Sequence, residues 1–241
     1  GIDYEIRVIV DAGAEDAAAA LPLLDERVSL VPYDRGRAPF NFAHKANAAV
    51  RGAEADRIVL LNDDMEALDG AWLGALLEML EIPGVGIAGA RLLYADDTVQ
   101  HAGMVLGVLG AATHVLVNMP RRNMGYNLFS HVVRNYSVVT GACMAFRKTI
   151  FDGLGGFDES YPLDFNDVDF CLKAGEAGWR VVYTPFAELR HFESRSAKRM
   201  SFDALDQHRL LRRWATIIGR DPFYNVNLRR DSQFFRAHGE E

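Results

Sequence analysis

The sequence predicts an α/β fold with a mostly parallel central sheet flanked by helices, and three observations carry the prediction. Stretches of β-branched residues alternate with helix-favouring ones over residues 5–184, the order expected when strands are joined through helical crossovers. Residues 58–61 form an unbroken apolar run, as a strand buried on both faces requires, and the run stops abruptly at Asn62, Asp63 and Asp64. The chain has 241 residues, 49% hydrophobic and 24% charged, which suits one large core of ordinary globular composition.

Residues 5–10, EIRVIV, read as the first strand, followed by a turn and the helix-forming AAAALPLLDE of residues 17–26. A second strand occupies 28–31. The loop 33–42 is rich in Pro, Gly and Asn, and the helix 43–53 is stopped by Gly52. Beyond the acidic strand tip, Trp72, Leu73, Leu76, Leu77 and Leu80 recur at helical spacing until Pro83-Gly84. Residues 85–90 read as a strand, 91–107 as a hairpin turning at Ala95-Asp96-Asp97, and 109–131 as an irregular, mobile loop near the site. A strand at 138–146 precedes a glycine-punctuated turn and a helix that opens at Asp167 and Asp169. A late strand at 181–184 and an amphipathic helix from Ser201 complete the series. Residues 1–200 are thus assigned to the α/β domain, and 201–241 to a C-terminal helix and tail packed on it.

With 26 Lys and Arg against 33 Asp and Glu, the formal charge of −7 argues against general nucleic-acid affinity. No apolar run approaches the length of a membrane span, so the expectation is a soluble, cytoplasmic chain. Cys143 and Cys171 lie in apolar surroundings without metal-ligand spacing and read as buried free thiols. Two adjacent carboxylates at a strand tip suit a hard divalent cation that holds a phosphate, because Mg²⁺ is bound by one or two carboxylates plus substrate oxygens. Capping of the helix near Asp69 by Asp63 or Asp64 accounts for those ten residues equally well.

Three motifs, LLNDDM on the central strand, FNDVDFCL opening the later helix and ELRHFES after the last strand, together resemble the family 2 glycosyltransferases. The resemblance runs from about Tyr4 to the tail. GVGIAGARLLYADDTVQHAGMVLG and VTGACMAFRKTIFDGLGGFDE are similar to the branch of bacterial polysaccharide and O-antigen transferases, rhamnosyltransferases among them. It implies a nucleotide-diphospho-sugar transferase (Rossmann-like) fold, inverting sugar transfer, a nucleotide-diphosphate sugar as donor, and a saccharide or lipid-linked acceptor at the inner face of the plasma membrane. Peripheral membrane association of the parent protein follows from the same likeness.

Carried over by position, the resemblance implies that Asp64 binds a divalent metal, Mg²⁺ or Mn²⁺, with His191 as a further ligand. It puts Asn62 and Asp63 near the donor's ribose and sugar, Asp11 at the nucleobase and Lys45 on the donor-facing helix. Asp167 becomes the general base, Asp169 a structural partner, and Arg147 and Trp179 line the acceptor side. Relatives carry a further strand and helix ahead of the equivalent of residues 5–10. A sheet without that central strand exposes backbone donors and acceptors, so a homodimer or strand exchange is expected. A catalytically silent binding fragment and a sugar nucleotidyltransferase are the competing readings.

Overall fold

The computed structural model describes residues 1–14, 21, 25–192 and 203–239. Most of the helix expected at 17–26 lies outside the described residues, as do Glu193 and Ser194 of the ELRHFES motif.

In chain order the strands are β1 (Ile6–Asp11), β2 (Val28–Tyr33), β3 (Arg57–Leu61), β4 (Met65–Ala67), β5 (Val85–Leu93), β6 (Val99–His101), β7 (Met104–Leu106), β8 (Ala112–His114), β9 (Arg134–Tyr136), β10 (Cys143–Arg147) and β11 (Arg180–His191). The helices are α1 (Phe42–Arg51), α2 (Trp72–Met79), α3 (Lys148–Gly153), α4 (Asn166–Glu176) and α5 (Ala204–Gly219). The main sheet has the order β3-β10-β5-β11-β4, with β6 added to β5 and β9 to β11. β5 and β11 pair in parallel, and β10 pairs antiparallel with both β3 and β5, so β3, β5 and β11 all run one way. β1 and β2 form a separate parallel pair, and β7 and β8 a small hairpin.

All nine residues of β5 are buried, and its alternation divides two cores. Ala88, Ala90 and Leu92 meet Leu76, Leu80 and Leu189 under α2, while Ile87 and Leu93 join the larger cluster built with Val50 of α1, Phe170 of α4 and Leu210, Trp214 and Ile218 of α5. Tyr224, Leu228 and Phe235, beyond α5, enter that same cluster. Asp169 of α4 fixes the helix pair: its Oδ1 accepts from Trp214 Nε1 at 2.9 Å and lies 3.1 Å from Arg213. Gly89 has to be glycine because an added Cβ would sit 2.4 Å from the Val139 Cβ.

The β5–β6 hairpin turns at residues 94–98, where Asp96 accepts from Thr98, and Gly52 caps α1. The two thiols are free and buried, and burial pushes Cys143 up to about 12. The segment read as an irregular loop, 109–131, contains β8 and buries Val115 and Leu116. β11 extends seven residues beyond the expected strand, through a register shift between Thr184 and Glu188. Among the described residues β1 has β2 as its only strand partner and β3 has β10, and the apolar residues of β3 are incompletely covered, Leu61 being 43% exposed.

Candidate active site

The shared direction of β3, β5 and β11 brings their C-terminal ends to one edge of the sheet, where open α/β sheets bind ligands. β3 ends in Asn62-Asp63-Asp64, which turn directly into β4. Neither aspartate caps α2. Its N-cap is Ala71 with no side-chain cap, and Asp69 accepts from the Ala71 N–H just ahead of the helix at 2.8 Å.

One backbone dipeptide joins the acidic tip to α4. Asn62 N donates to the Ala142 carbonyl at 3.0 Å, and the adjoining Gly141 N donates to Asp167 Oδ2 at 2.9 Å. The N-cap of α4 is Phe165, in the left-handed conformation, so Asp167 sits inside the first turn rather than capping it. Its Oδ1 accepts from Val168 N at 2.8 Å. Burial raises the Asp167 carboxyl above the usual carboxylate range, and these N–H groups oppose the shift by favouring the ionised form. At Gly141 an added Cβ would lie 3.3 Å from the Asp167 Cβ, so the approach is already close.

His191 closes the site from the end of β11. Its Nε2 lies 3.0 Å from Asp64 Oδ1 and 3.3 Å from Asn62 Nδ2, and its Nδ1 is 2.8 Å from Gln100 Oε1. An amide oxygen accepts only, so Gln100 places the proton on Nδ1 and leaves Nε2 facing the carboxylate. Asp64 Oδ1 is buried and has no hydrogen-bond partner among the described residues. Two lone pairs about this close repel unless a proton or a cation lies between them, and a divalent ion fits this donor set. No group of three His, Cys, Asp or Glu that could hold a metal occurs among the described residues, so Asp64 and His191 suit an ion that arrives with diphosphate oxygens. Gln100, 6% exposed, carries no sequence signature that sets it apart.

Asp11 and Lys45 are brought together as an ion pair, with Lys45 Nζ 3.1 Å from Asp11 Oδ2. Asp63 is exposed. The structure does not bring Arg147 and Trp179 to this group. Arg147 pairs with Arg57 at the start of β3 and donates to the Leu80 carbonyl, and Trp179 precedes β11 against Gly86. Both lie at the opposite end of the sheet from Asp64, because β10 runs against β3 and β11 runs with it. Behind the site, His101 Nδ1 and His114 Nδ1 lie 3.0 Å apart. Burial lowers both, His114 to about 4, so the pair is neutral at pH 7.

Among the described residues the site is thus built at one end of a mixed sheet, where the terminal strand β3 leads into carboxylates and a histidine from β11 closes over them. Two solved structures share the fold: GalNAc-T7 with UDP, GalNAc and Mn²⁺, at TM-score 0.66 and 12% identity over 89% of this chain and 43% of that one, and a mannosyltransferase from Pyrobaculum calidifontis in complex with GDP-Man and Mn²⁺, at TM-score 0.55 and 18% identity over 80% and 49%. The chain belongs to the family described as "Glycosyltransferase like family 2", whose pattern matches residues 3–216. Among curated relatives, protein y4gI of Sinorhizobium fredii is 38% identical over 92% of this chain and 25% of its own length. The O-antigen biosynthesis protein RfbC of Myxococcus xanthus is 35% identical over 85% and 16%. An N-acetylglucosaminyl-diphospho-decaprenol L-rhamnosyltransferase of Mycobacterium tuberculosis is 39% identical over 29% of this chain and 23% of its own length. The chain therefore spans a quarter or less of each of these relatives. Among the described residues no helix is long and apolar enough to cross a membrane.

Proposed function

We propose that this domain is an inverting glycosyltransferase that moves a sugar from a nucleoside-diphosphate donor to a hydroxyl of a saccharide or lipid-linked acceptor in bacterial surface-polysaccharide synthesis, at the cytoplasmic side of the membrane. The observation that carries the reading is the Gly141-Ala142 dipeptide, which holds Asp167 beside the Asn62-Asp63-Asp64 tip. Asp64 and His191 hold a divalent cation, Mg²⁺ or Mn²⁺, together with the donor diphosphate. That cation supplies Lewis-acid stabilisation of the charge that develops on the leaving group.

Asp167 takes the proton from the acceptor hydroxyl as that oxygen attacks the anomeric carbon on the face opposite the leaving diphosphate. Its raised affinity for a proton serves this task, and the Gly141 and Val168 N–H groups fix the carboxylate without occupying all its lone pairs. Asn62 and Asp63 meet the ribose and sugar, and the Asp11–Lys45 pair the nucleotide. The names of RfbC and of the mycobacterial rhamnosyltransferase support the polysaccharide setting.

The test is calorimetric titration with UDP, dTDP and GDP, each with and without Mn²⁺, followed by transfer assays with sugars of whichever nucleotide binds. Asp167→Asn should keep nucleotide binding and lose transfer by about 10²–10⁴-fold. Asp64→Ala should lose the metal-dependent part of binding. Equal loss of binding in both variants would remove the division of roles.

A further inference from the structure

A cavity of about 470 Å³ opens where β11 shifts register against β5, and Arg91, Arg121, Arg122, His131, Phe186 and Glu188 line it. Bulged strands commonly re-aim side chains next to functional sites. Here the result is a basic wall. Arg91 is 3% exposed. Its Nη1 lies 3.1 Å from Glu188 Oε1, its Nη2 donates to the Arg121 carbonyl at 2.6 Å, and its buried Nε has no hydrogen-bond partner among the described residues. Arg121 Nη2 reaches the other Glu188 oxygen at 2.5 Å.

One carboxylate is thus shared by two guanidinium groups. Arg122 is exposed and forms no ion pair with a described residue. Three guanidinium charges against one carboxylate leave a surplus of two in the lining. His131 reports the same field: burial, and then the charge of Arg91, push it below its usual range. Arg190, the next charged residue along β11, adds nothing to the surplus because it is paired with Asp97 at 2.9 Å and Glu66 at 3.2 Å.

Uncompensated positive charge in a concave site is costly and attracts an anion, and guanidinium forks match phosphate oxygens in geometry as well as charge. We infer that this cavity binds a phosphoryl dianion, free or carried on a larger molecule, at a site separate from the one formed by Asp64 and His191. Glu188 precedes His191 by three residues, about 10 Å along an extended strand. The volume exceeds that of one phosphate, and Phe186, 63% exposed, offers an apolar surface beside the charge. Both features favour a phosphoryl group that bears an organic substituent.

The site is tested without metal or donor, so its fate is independent of the transferase reading. The protein in EDTA and low salt is titrated calorimetrically with inorganic phosphate and, separately, benzyl phosphate. Saturable binding is expected. Arg122→Gln, at an exposed position where folding is not at stake, should weaken it by about 10–100-fold. Glu188→Gln should tighten it by raising the surplus from two to three, and Asp64→Ala should leave it unchanged. Tighter binding of benzyl phosphate than of inorganic phosphate assigns the site to a carried phosphoryl group, and the reverse assigns it to the free ion. No saturable binding, unchanged binding in Arg122→Gln, or loss in Asp64→Ala would each overturn the inference.

Discussion

Replacing Gln100 by leucine removes the acceptor that fixes the imidazole of His191 while leaving every proposed metal ligand in place. Gln100 Oε1 is 2.8 Å from His191 Nδ1, and the ring's other nitrogen is 3.0 Å from Asp64 Oδ1. With leucine at position 100 the ring is free to carry its proton on Nε2. That form hydrogen-bonds Asp64 and blocks a cation. Loss of an outer hydrogen bond of this kind typically costs about 10–100-fold in metal affinity, or about 1.4–2.8 kcal/mol.

The assay is Mn²⁺ binding in the presence of a nucleoside diphosphate, followed by electron paramagnetic resonance, with ¹⁵N spectra of the imidazole in metal-free protein to read the tautomer directly. The substitution also leaves the buried Nδ1 without a partner, at about 1–3 kcal/mol, which a domain stable by about 5–15 kcal/mol survives. A shifted tautomer with weakened Mn²⁺ binding is expected in Gln100→Leu. Recovery is expected in Gln100→Glu, whose carboxylate accepts from the same Nδ1–H. Mn²⁺ affinity within twofold of the unsubstituted protein in Gln100→Leu, with binding abolished in Asp64→Ala, would refute the reasoning.

Three further outcomes follow from the same structure. His114 is held at about 4 against an ordinary 6.5, so the unfolded chain takes up its proton first as pH falls. In metal-free protein, stability should therefore hold above about pH 6.5 and decline toward pH 4, by about 3 kcal/mol from this group, and denaturant titrations of His114→Gln should lack that part of the slope. Trp214→Phe removes a hydrogen bond to the fully buried Asp169 carboxylate and should lower the unfolding free energy by about 1–3 kcal/mol in urea titrations. The half-covered strands β1 and β3, singly paired among the described residues, should pair with another chain, giving a dimer in light scattering, whereas a monomer at every concentration would refute pairing between copies.

Elements whose burial follows a single period were legible from residues alone. The helical stripe of α2 is of this kind and appears where expected. The apolar run of β3 does form a strand, but one that is half-buried at the end of the sheet rather than central and buried on both faces, because β10 alone pairs with it among the described residues. β11 was half read because Pro185 and the charged Glu188 and Arg190 interrupt its apolar pattern, and the strand absorbs them through a shift in register rather than ending. β4 and β8, with three residues each, are too short to show any period. Arg147 and Trp179 lie away from Asp64 for a topological reason: proximity to a strand says nothing of which end of the sheet a residue reaches until the direction of that strand is known.

The candidate site divides along the same line. Asn62, Asp63 and Asp64 follow one strand and Asp167 opens one helix, so the sequence could propose each of them locally. What makes them a site is the Gly141-Ala142 dipeptide, whose neighbouring N–H and C=O groups reach Asp167 in one direction and Asn62 in the other. The chain brings it there because β10 runs antiparallel beside β3, carrying the start of the strand to the tip where β3 ends. Gln100 reaches His191 by the same logic, through a hairpin that folds β6 back onto β5 beside the end of β11. Local pattern therefore names the groups that carry charge, and the pairing of strands chooses the groups that hold them in position.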